Sequence, residues 1–574
     1  MKEFKTDVVV VGTGGAGCRV ALTARSQKCR VIQVAKGPIG RCELTAMTMP
    51  GFGALLEGNP KDSAHNFFKD TLDGGAYLND RNLVRTLVNG SGEAIGFLEG
   101  LGVRFDRHPD GTFMYYSGVE HTITGTPRQL GVDDAMGRTF YNALKGEIGR
   151  SGIHLVEDFF AASVLTDGER VRGLTGLDIR TGQVMVIWAQ AVVLATGGFV
   201  GLYNIRTGHP RDTGDGQAMA LRAGAGLKDI EFIQSNPAAF HHPPSIRGVI
   251  VPGWYLVMDK GAKYFNGEMA EFLHNYDPQR RENTTRDIKA RAMHQEIISG
   301  RASANGGIYL DFRGAQLETP LEDYLSENAP FLLDYVRRLG LPPQVIFKKP
   351  MEVAPAAHYS CGGIAIDEAC QTGIPGLLAA GEVTGGVHGA NRLGNSAMTD
   401  IFVFGRIAGN QAARVVRSNG SGSISKGLTE KAIQLELEVR KIMTGATKAP
   451  LRPSTIRARV EEIMFRHVGF GRDKDGLEQA LSELGRIKAE DLPRARPSSN
   501  SPRFNIDLLQ TLELANMIDI GQAVAGAALE RTETRGCHNR LDFPRQDDQD
   551  WLFHLLVTQG SGGLKVDKAP VIAN

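Results

Sequence analysis

Near its start the chain runs Asp7-Val8-Val9-Val10-Val11, a short apolar stretch of β-branched residues with no polar alternation. That is the pattern of a parallel strand buried on both faces. Gly12-Thr13-Gly14-Gly15-Ala16-Gly17 follows at once, 18–27 reads as a helix, and Arg30-Val31-Ile32-Gln33-Val34 as a second strand. A strand ending in small residues recurs at Ala191-Val192-Val193-Leu194-Ala195-Thr196-Gly197-Gly198, and Thr213-Gly214-Asp215-Gly216 then caps a helix over 217–223. Far downstream Gly376-Leu377-Leu378-Ala379-Ala380-Gly381-Glu382-Val383 repeats the pattern. So late a return to one sheet predicts a domain inserted between its halves. Beyond 420 the periodicity becomes helical, over 429–443, 454–466 and 475–488, and in a long apolar helix from 506 to 530. A proline- and serine-rich break covers 493–502, Asn419-Gly420-Ser421-Gly422-Ser423 is a linker by composition, and there are no internal repeats.

Length and charge narrow the class. The 574 residues imply three to four domains at about 150 residues each. With 65 basic residues against 64 acidic ones, nucleic-acid binding through bulk positive charge is excluded. No apolar run approaches the 18 or so residues of a membrane span, and the N-terminus carries no signal-peptide hydrophobic region, so a cytoplasmic location is expected. Cysteines at 18, 29, 42, 361, 370 and 537 form no CxxC pair; no metal centre, haem site or iron–sulfur cluster is expected within the chain. The 70 glycines, about 12 per cent against a usual 7, are the unusual number.

Much of that glycine lies where ligands touch backbone. Strand, GxGxxG and helix together form a dinucleotide-binding turn, its first glycine for the bend, its second for diphosphate approach, its third for helix–strand packing. The helix N-terminus then offers free N–H groups to the diphosphate. An acidic residue for the ribose is expected about 20 residues on; Ala35 and Lys36 stand there instead. The motif alone does not separate FAD from NAD(P).

Four further stretches, and a fifth near the end, carry a resemblance. They are Thr213-Gly214-Asp215-Gly216, Thr285-Arg286-Asp287-Ile288-Lys289-Ala290-Arg291-Ala292, Ala357-His358-Tyr359-Ser360-Cys361-Gly362-Gly363, His388-Gly389-Ala390-Asn391-Arg392-Leu393-Gly394-Asn395-Ser396, and Glu530-Arg531-Thr532-Glu533-Thr534-Arg535-Gly536-Cys537-His538. In order and spacing the chain resembles the flavoprotein subunit of succinate dehydrogenase and fumarate reductase, a family that includes L-aspartate oxidase and soluble fumarate reductases. The resemblance implies an α/β fold: a discontinuous Rossmann-like FAD-binding domain (1–236 and 352–420), an inserted α+β capping domain (237–351), a helical domain (421–530) and a small irregular C-terminal segment (531–574). It implies FAD held by Gly12, Gly14, Gly15, Ala16, Gly17, Ala35, Lys36, Arg41, Cys42, Ala162, Thr196, Gly197, Asp215, Glu382, Asn395 and Ser396.

The family's chemistry passes a hydride between flavin N5 and a carbon–carbon bond beside a carboxylate. The resemblance makes Arg286 the proton donor or acceptor, and His358 and Arg392 the carboxylate ligands, arginine suiting that task through its bidentate fork. An arginine gives up a proton only in a dry site beside other charge. His388 is expected to shape the loop of Arg392, and His538 to be structural.

Departures from the family are as informative. Its Gln-Phe-His-Pro is Gln234-Ser235-Asn236-Pro237 here, so Asn236 replaces a substrate-binding histidine. Its Thr-Glu-Gly-x-Arg-Gly-x-Gly loop, whose glutamate and arginine bring protons to the catalytic arginine, is Ile246-Arg247-Gly248-Val249-Ile250-Val251-Pro252-Gly253, an apolar, strand-like run with Trp254 and Tyr255 behind it. Arg247 falls at the glutamate and is assigned to substrate. Plain fumarate or succinate is therefore not the expected substrate; a related acid is, with a different, larger or aromatic group beyond Asn236. Where membrane-bound relatives attach FAD to a histidine, Arg41-Cys42-Glu43-Leu44 stands, and non-covalent FAD is expected. Without clusters of its own, the chain is expected to exchange electrons with an iron–sulfur or other electron-transfer subunit, and to reach any membrane only through a partner. Two other readings stay open: an L-aspartate oxidase-like amino-acid oxidase, and an electron-transfer flavoprotein that has lost the family's catalysis.

Overall fold

The computed structural model describes residues 2–41, 43–48, 51–56, 59, 61–116, 126–132, 136–251, 253–258, 260–328, 340, 348–418 and 426–571. Cys42 and the linker over 419–423 lie outside them. The four consecutive valines form the middle strand, Val8–Val11, of a five-stranded sheet ordered Leu377–Ala379, Ala191–Leu194, Val8–Val11, Val31–Val34, His154–Val156. Each neighbouring pair is parallel, and the three central strands are buried along their length, which explains their lack of alternation. Val192 pairs with Leu377, so the late strand does return to the early sheet. Helix Gly15–Ser26, three residues longer at its start than expected, packs along helix Ser396–Ser418 behind the sheet. An antiparallel meander, Phe159–Thr166, Val171–Asp178 and Gln183–Trp188, is extended by the N-terminal strand Lys2–Lys5.

The inserted segment forms an antiparallel sheet ordered Ile233–Phe240, Met351–Ser360, Ile308–Asp311, Lys263–Phe265, with helix Arg286–Ile298 against it. Its first and second strands straddle the expected domain edges, so each runs from the FAD side into the cap. A register shift at Asn236–Ala239 coincides with Pro237, which has no N–H for the ladder. The stretch from Ile246 to Trp254 is not a strand. Pro244–Ile246 is a 3-10 turn, Gly248 and Gly253 adopt φ of 86° and 71°, and short helix Trp254–Val257 follows. The two left-handed glycines bend a run whose side chains are otherwise strand-forming, and a bridge from Ala239 to Ile250 ties it to the cap sheet.

Helices Lys426–Thr444, Pro453–His467, Lys474–Arg486 and Ile506–Glu530 follow the expected periodicity. The C-terminal segment is not irregular: Phe553–Gly560 and Gly563–Pro570 form a hairpin that joins Leu227–Lys228, Gly363–Ala365 and Thr384–Gly385 in one sheet. Alternation in Leu564-Lys565-Val566-Asp567-Lys568 and the glycines at 560, 562 and 563 are its sequence signals. Five arginines, Arg128, Arg472, Arg531, Arg535 and Arg540, are wholly buried. Three belong to the C-terminal segment and are held by Glu231, Glu533 and Asp542.

Candidate active site

The carboxyl ends of the parallel strands open onto a cleft of about 450 Å3 lined by Val11, Gly12, Val34, Lys36, Phe159, Ala161, Thr196, Arg211, Thr213, Asp215 and Met219. This is where open α/β sheets bind ligands. A Cβ on Gly12 (φ 114°) would stand 2.1 Å from the Ala195 carbonyl oxygen, and one on Gly17 2.1 Å from that of Gly12, so both are required for close packing. A Cβ on Gly14 would meet nothing nearer than 3.7 Å, which leaves that face of the turn open. The N-cap of helix Gly15–Ser26 is Gly14, which has no side chain to give, and Thr45 Oγ1 accepts from the Gly15 N–H at 3.0 Å. The buried Thr196 hydroxyl has no protein partner among the described residues. The open face at Gly14 and the unpartnered hydroxyl fit a dinucleotide, and Gly12 to Gly17, Thr196 and Asp215 are the groups that would hold it.

Lys36, which stands at the acid's expected place after the second strand, meets two carboxylates from elsewhere in the chain. Lys36 Nζ lies 2.7 Å from Asp215 Oδ2 and 2.8 Å from Glu513 Oε1, and donates to Thr213 Oγ1 at 3.0 Å and the Arg211 carbonyl at 2.7 Å. Burial opposes the lysine charge, but the two carboxylates outweigh it and hold Lys36 above its ordinary value. Asn516 Nδ2 donates to Asp215 Oδ1 at 2.7 Å, so helix Ile506–Glu530 closes this side of the cleft. Glu513, Asn516 and Arg211 were not among the expected residues; the one signal for Glu513 was an acid in the middle of a long apolar helix.

The other expected cofactor residues divide. Ala35 is buried, its N–H on the Val156 carbonyl. Arg41 is exposed. Ala162 belongs to a buried cluster with Phe160, Leu177 and Leu508, while its neighbour Ala161 lines the cleft. Gly197 adopts φ 78° at the strand end, and Asn395 (φ 62°) donates to Gln129 Oε1 at 2.7 Å just before buried Ser396 opens its helix. Glu382 accepts from the Ser360 N–H at 3.0 Å, and burial pushes its carboxyl up to about 8; Asp212, close enough to act on it, is pushed up to about 7 by burial. Glu43 accepts from the Thr13 hydroxyl at 2.7 Å and the Gly40 N–H at 2.9 Å.

A second cluster lies where cap and FAD-binding domain meet. Strand Met351–Ser360 brings His358 and Tyr359, the loop before Ser396 brings Arg392, and Arg286 opens helix Arg286–Ile298. His358, Arg392 and Arg286 are within electrostatic reach of one another. Burial, then Arg392 and Arg286, holds the His358 ring well below its usual value, so it is neutral. Burial and Arg286 lower Arg392 too. The Arg392 guanidinium lies 4.4 Å over the Tyr359 ring and donates to the Leu393 carbonyl at 3.0 Å, while its Nε is buried without a partner among the described residues. Gln234 fixes this loop by donating to the Arg392 carbonyl and Asn391 Oδ1, each at 2.7 Å. Trp254 sits behind Arg286, its ring 5.8 Å from the guanidinium and 5.1 Å from Lys289 Nζ.

Asn236 and Arg247 are placed differently from one another. Asn236 is buried in the bulge and spends its Oδ1 on the Ala238 N–H at 3.0 Å. Arg247 is exposed, its Nε donating to the His241 carbonyl at 3.2 Å, next to left-handed Gly248. His388 is buried against Asp400 at 3.0 Å, and His538 between Arg472 at 2.7 Å and the Arg531 carbonyl at 3.1 Å, both structural positions. Thr207, whose Oγ1 lies 2.7 Å from His358 Nδ1, had no sequence signal.

Comparison with known proteins decides the lineage. The family described as "FAD binding domain" matches residues 7–397, and "Fumarate reductase flavoprotein C-term" matches 457–574. The chain belongs to the succinate dehydrogenase/fumarate reductase flavoprotein family. Like that family, it is an FAD-dependent oxidoreductase acting on CH–CH groups. It is 35% identical over 559 residues to a fumarate reductase (CoM/CoB) subunit from Methanothermobacter marburgensis, covering 97% of each chain. Among solved structures it is similar to a mutant of the E. coli quinol fumarate reductase FrdA (TM-score 0.89, 28% identity, 100% of this chain and 98% of that one). It is also similar to Mycobacterium smegmatis Sdh1 (TM-score 0.88, 30% identity, 100% and 95%). In this flavoprotein, no helix among the described residues is long and apolar enough to cross a membrane.

Proposed function

We propose that this flavoprotein reduces, or in reverse forms, a carbon–carbon double bond next to a carboxylate, and that its substrate is not plain fumarate or succinate. FAD, when bound, supplies or takes up the hydride. The observation that carries the reading is the convergence of a buried Arg392, a half-buried Arg286 and a half-buried, neutral His358. Two cations and an N–H donor form a strong anion site where little water screens them. His358 and Arg392 hold the carboxylate, and Arg286, at the cap side, gives its proton to the carbon that receives no hydride. The second half of the pocket lacks a second charged clamp: Asn236 has only its amide Nδ2 left to donate, its Oδ1 being on the Ala238 N–H, and Arg247 is at the surface. On the cap side the Trp254 ring lies 5.8 Å from the Arg286 guanidinium, an aromatic neighbour that favours an apolar or aromatic substituent.

Glu43 stands where covalent relatives carry the linking histidine, and a carboxylate cannot make that bond, so FAD is held non-covalently. The relatives named as subunits support a partner, an iron–sulfur or other electron-transfer protein, that carries electrons to or from the flavin. Assays with reduced viologen should give faster turnover of 3-aryl-2-enoates than of fumarate, and Arg286→Ala should lose turnover while keeping flavin. Fumarate turnover equal to that of a dedicated fumarate reductase would overturn the substrate assignment. Full activity in Arg286→Ala would overturn the role of that residue.

A further inference from the structure

We propose that Thr207 is a positioning residue that fixes His358 as the tautomer with its proton on Nε2, turning the ring into a hydrogen-bond donor for the substrate carboxylate. This rests on the carboxylate-holding role given to His358 above. Thr207 is itself anchored: its N–H donates to the Ala357 carbonyl at 2.9 Å, and its neighbour Arg206 forms a parallel bridge with Ala357. The hydroxyl is thereby held beside the next residue of that strand, His358.

A hydroxyl has one proton and two lone pairs, and two partners are within reach. His358 Nδ1 is 2.7 Å away, at the preferred O–H distance; the Ala357 carbonyl is 3.5 Å away, beyond a good hydrogen bond, and already accepts the Thr207 N–H. If Nδ1 carried the ring proton, Thr207 would accept it and its own proton would be left with the distant carbonyl. If Nε2 carries the proton, the hydroxyl donates to Nδ1 and every group near that end of the ring is satisfied. With a carboxylate at Nε2 the second arrangement makes two good hydrogen bonds and the first only one, and the doubly protonated ring is disfavoured by burial beside Arg392 and Arg286. His358 Nε2 has no protein partner among the described residues, so its N–H is available to a ligand. Without the hydroxyl the tautomers become closer in energy, and the one with a bare Nε2 lone pair repels a carboxylate oxygen.

The test uses the FAD-loaded protein and two carboxylate probes, malonate and 3-phenylpropionate, with binding followed by the change in flavin absorbance. Thr207→Val should weaken both about tenfold, raising KM more than it lowers kcat, and Thr207→Ser should restore binding to within about threefold. In a His358→Gln background, whose amide has no tautomers, Thr207→Val should have no further effect on binding. Wild-type affinity in Thr207→Val, or an equal loss from Thr207→Val in the His358→Gln background, would overturn the proposal. If Thr207→Val fails to fold, Thr207→Ala in the same two backgrounds gives the same decision. If His358→Ala binds both probes as tightly as wild type, the carboxylate-holding reading itself is lost; if His358→Ala weakens them and Thr207→Val does not, only the role of Thr207 falls.

Discussion

His294 offers a sharp test of the energetics joining cap to helical domain. It lies on helix Arg286–Ile298, 1% exposed, edge-on to Phe465 with ring centroids 6.0 Å apart. A Cβ on Gly471 would come within 3.1 Å of the imidazole, so the ring fills the space that glycine leaves. Neither ring nitrogen has a hydrogen-bond partner among the described residues, and burial alone lowers the ring to about 4. The unfolded ring, near 6.5, takes a proton that the folded ring refuses, so stability is full above pH 6.5 and falls as pH drops toward 4. At about 1.4 kcal/mol per unit, roughly 2 kcal/mol is lost by pH 5 and about 3 by pH 4. His294→Phe keeps an aromatic ring against Phe465 and removes both the titration and the two unpaired nitrogens, and should add on the order of 1–3 kcal/mol at pH 7. Hydrogen exchange along Arg286–Ile298, corrected for intrinsic rates, is the suitable assay, since a protein of several domains does not unfold in one step. Wild type should lose protection between pH 7 and 5 while His294→Phe does not. Equal losses in both proteins would refute the reasoning.

Other outcomes follow from the same geometry. Lys36→Met should leave Asp215 and Glu513 facing each other without a cation, lowering stability by about 3–5 kcal/mol and releasing FAD on gel filtration, whereas Lys36→Met with Glu513→Gln should recover much of the loss. Because burial raises Glu382 to about 8, its folded form keeps a proton that the unfolded chain releases near 4.5, so apoprotein melting temperature should fall as pH rises toward 8. Glu382→Gln should flatten that dependence, and an unchanged slope would count against a buried neutral carboxyl. Removing residues 553–571 deletes the hairpin that pairs with Leu227–Lys228 and should abolish soluble, flavin-containing protein. Acid precipitation should leave flavin in the supernatant, and flavin in the pellet would show a covalent bond.

What sequence made legible follows the range of the forces involved. The strand Val8–Val11, its glycine turn and the amphipathic helices are decided by local pattern, and they were read with errors of a few residues. Arg286, His358 and Arg392 were legible through motifs, and the fold brings them together. Glu513 was hidden because its partner Lys36 is far away in sequence and the helix around it reads as uniform core. The exposed position of Arg247 is not legible from its place in the motif, because the left-handed glycines at 248 and 253 make a bend of a run that reads as a strand. The C-terminal hairpin was read as irregular because its strands are half exposed and weakly apolar; a sheet already present, waiting at Leu227–Lys228, gives them their shape.

The helix that closes the cofactor cleft also sets a timetable. Asp215 and Asn516, which meet across a 2.7 Å hydrogen bond, are separated by 301 residues. At the usual 5–20 residues per second a ribosome needs roughly 15–60 s to travel between them. For that interval the nascent chain carries the glycine turn, Lys36 and Asp215 but neither Glu513 nor Asn516. Flavin met during synthesis finds a half-walled cleft, so tight loading belongs to the finished chain, and an interrupted one is marked by its inability to keep the cofactor.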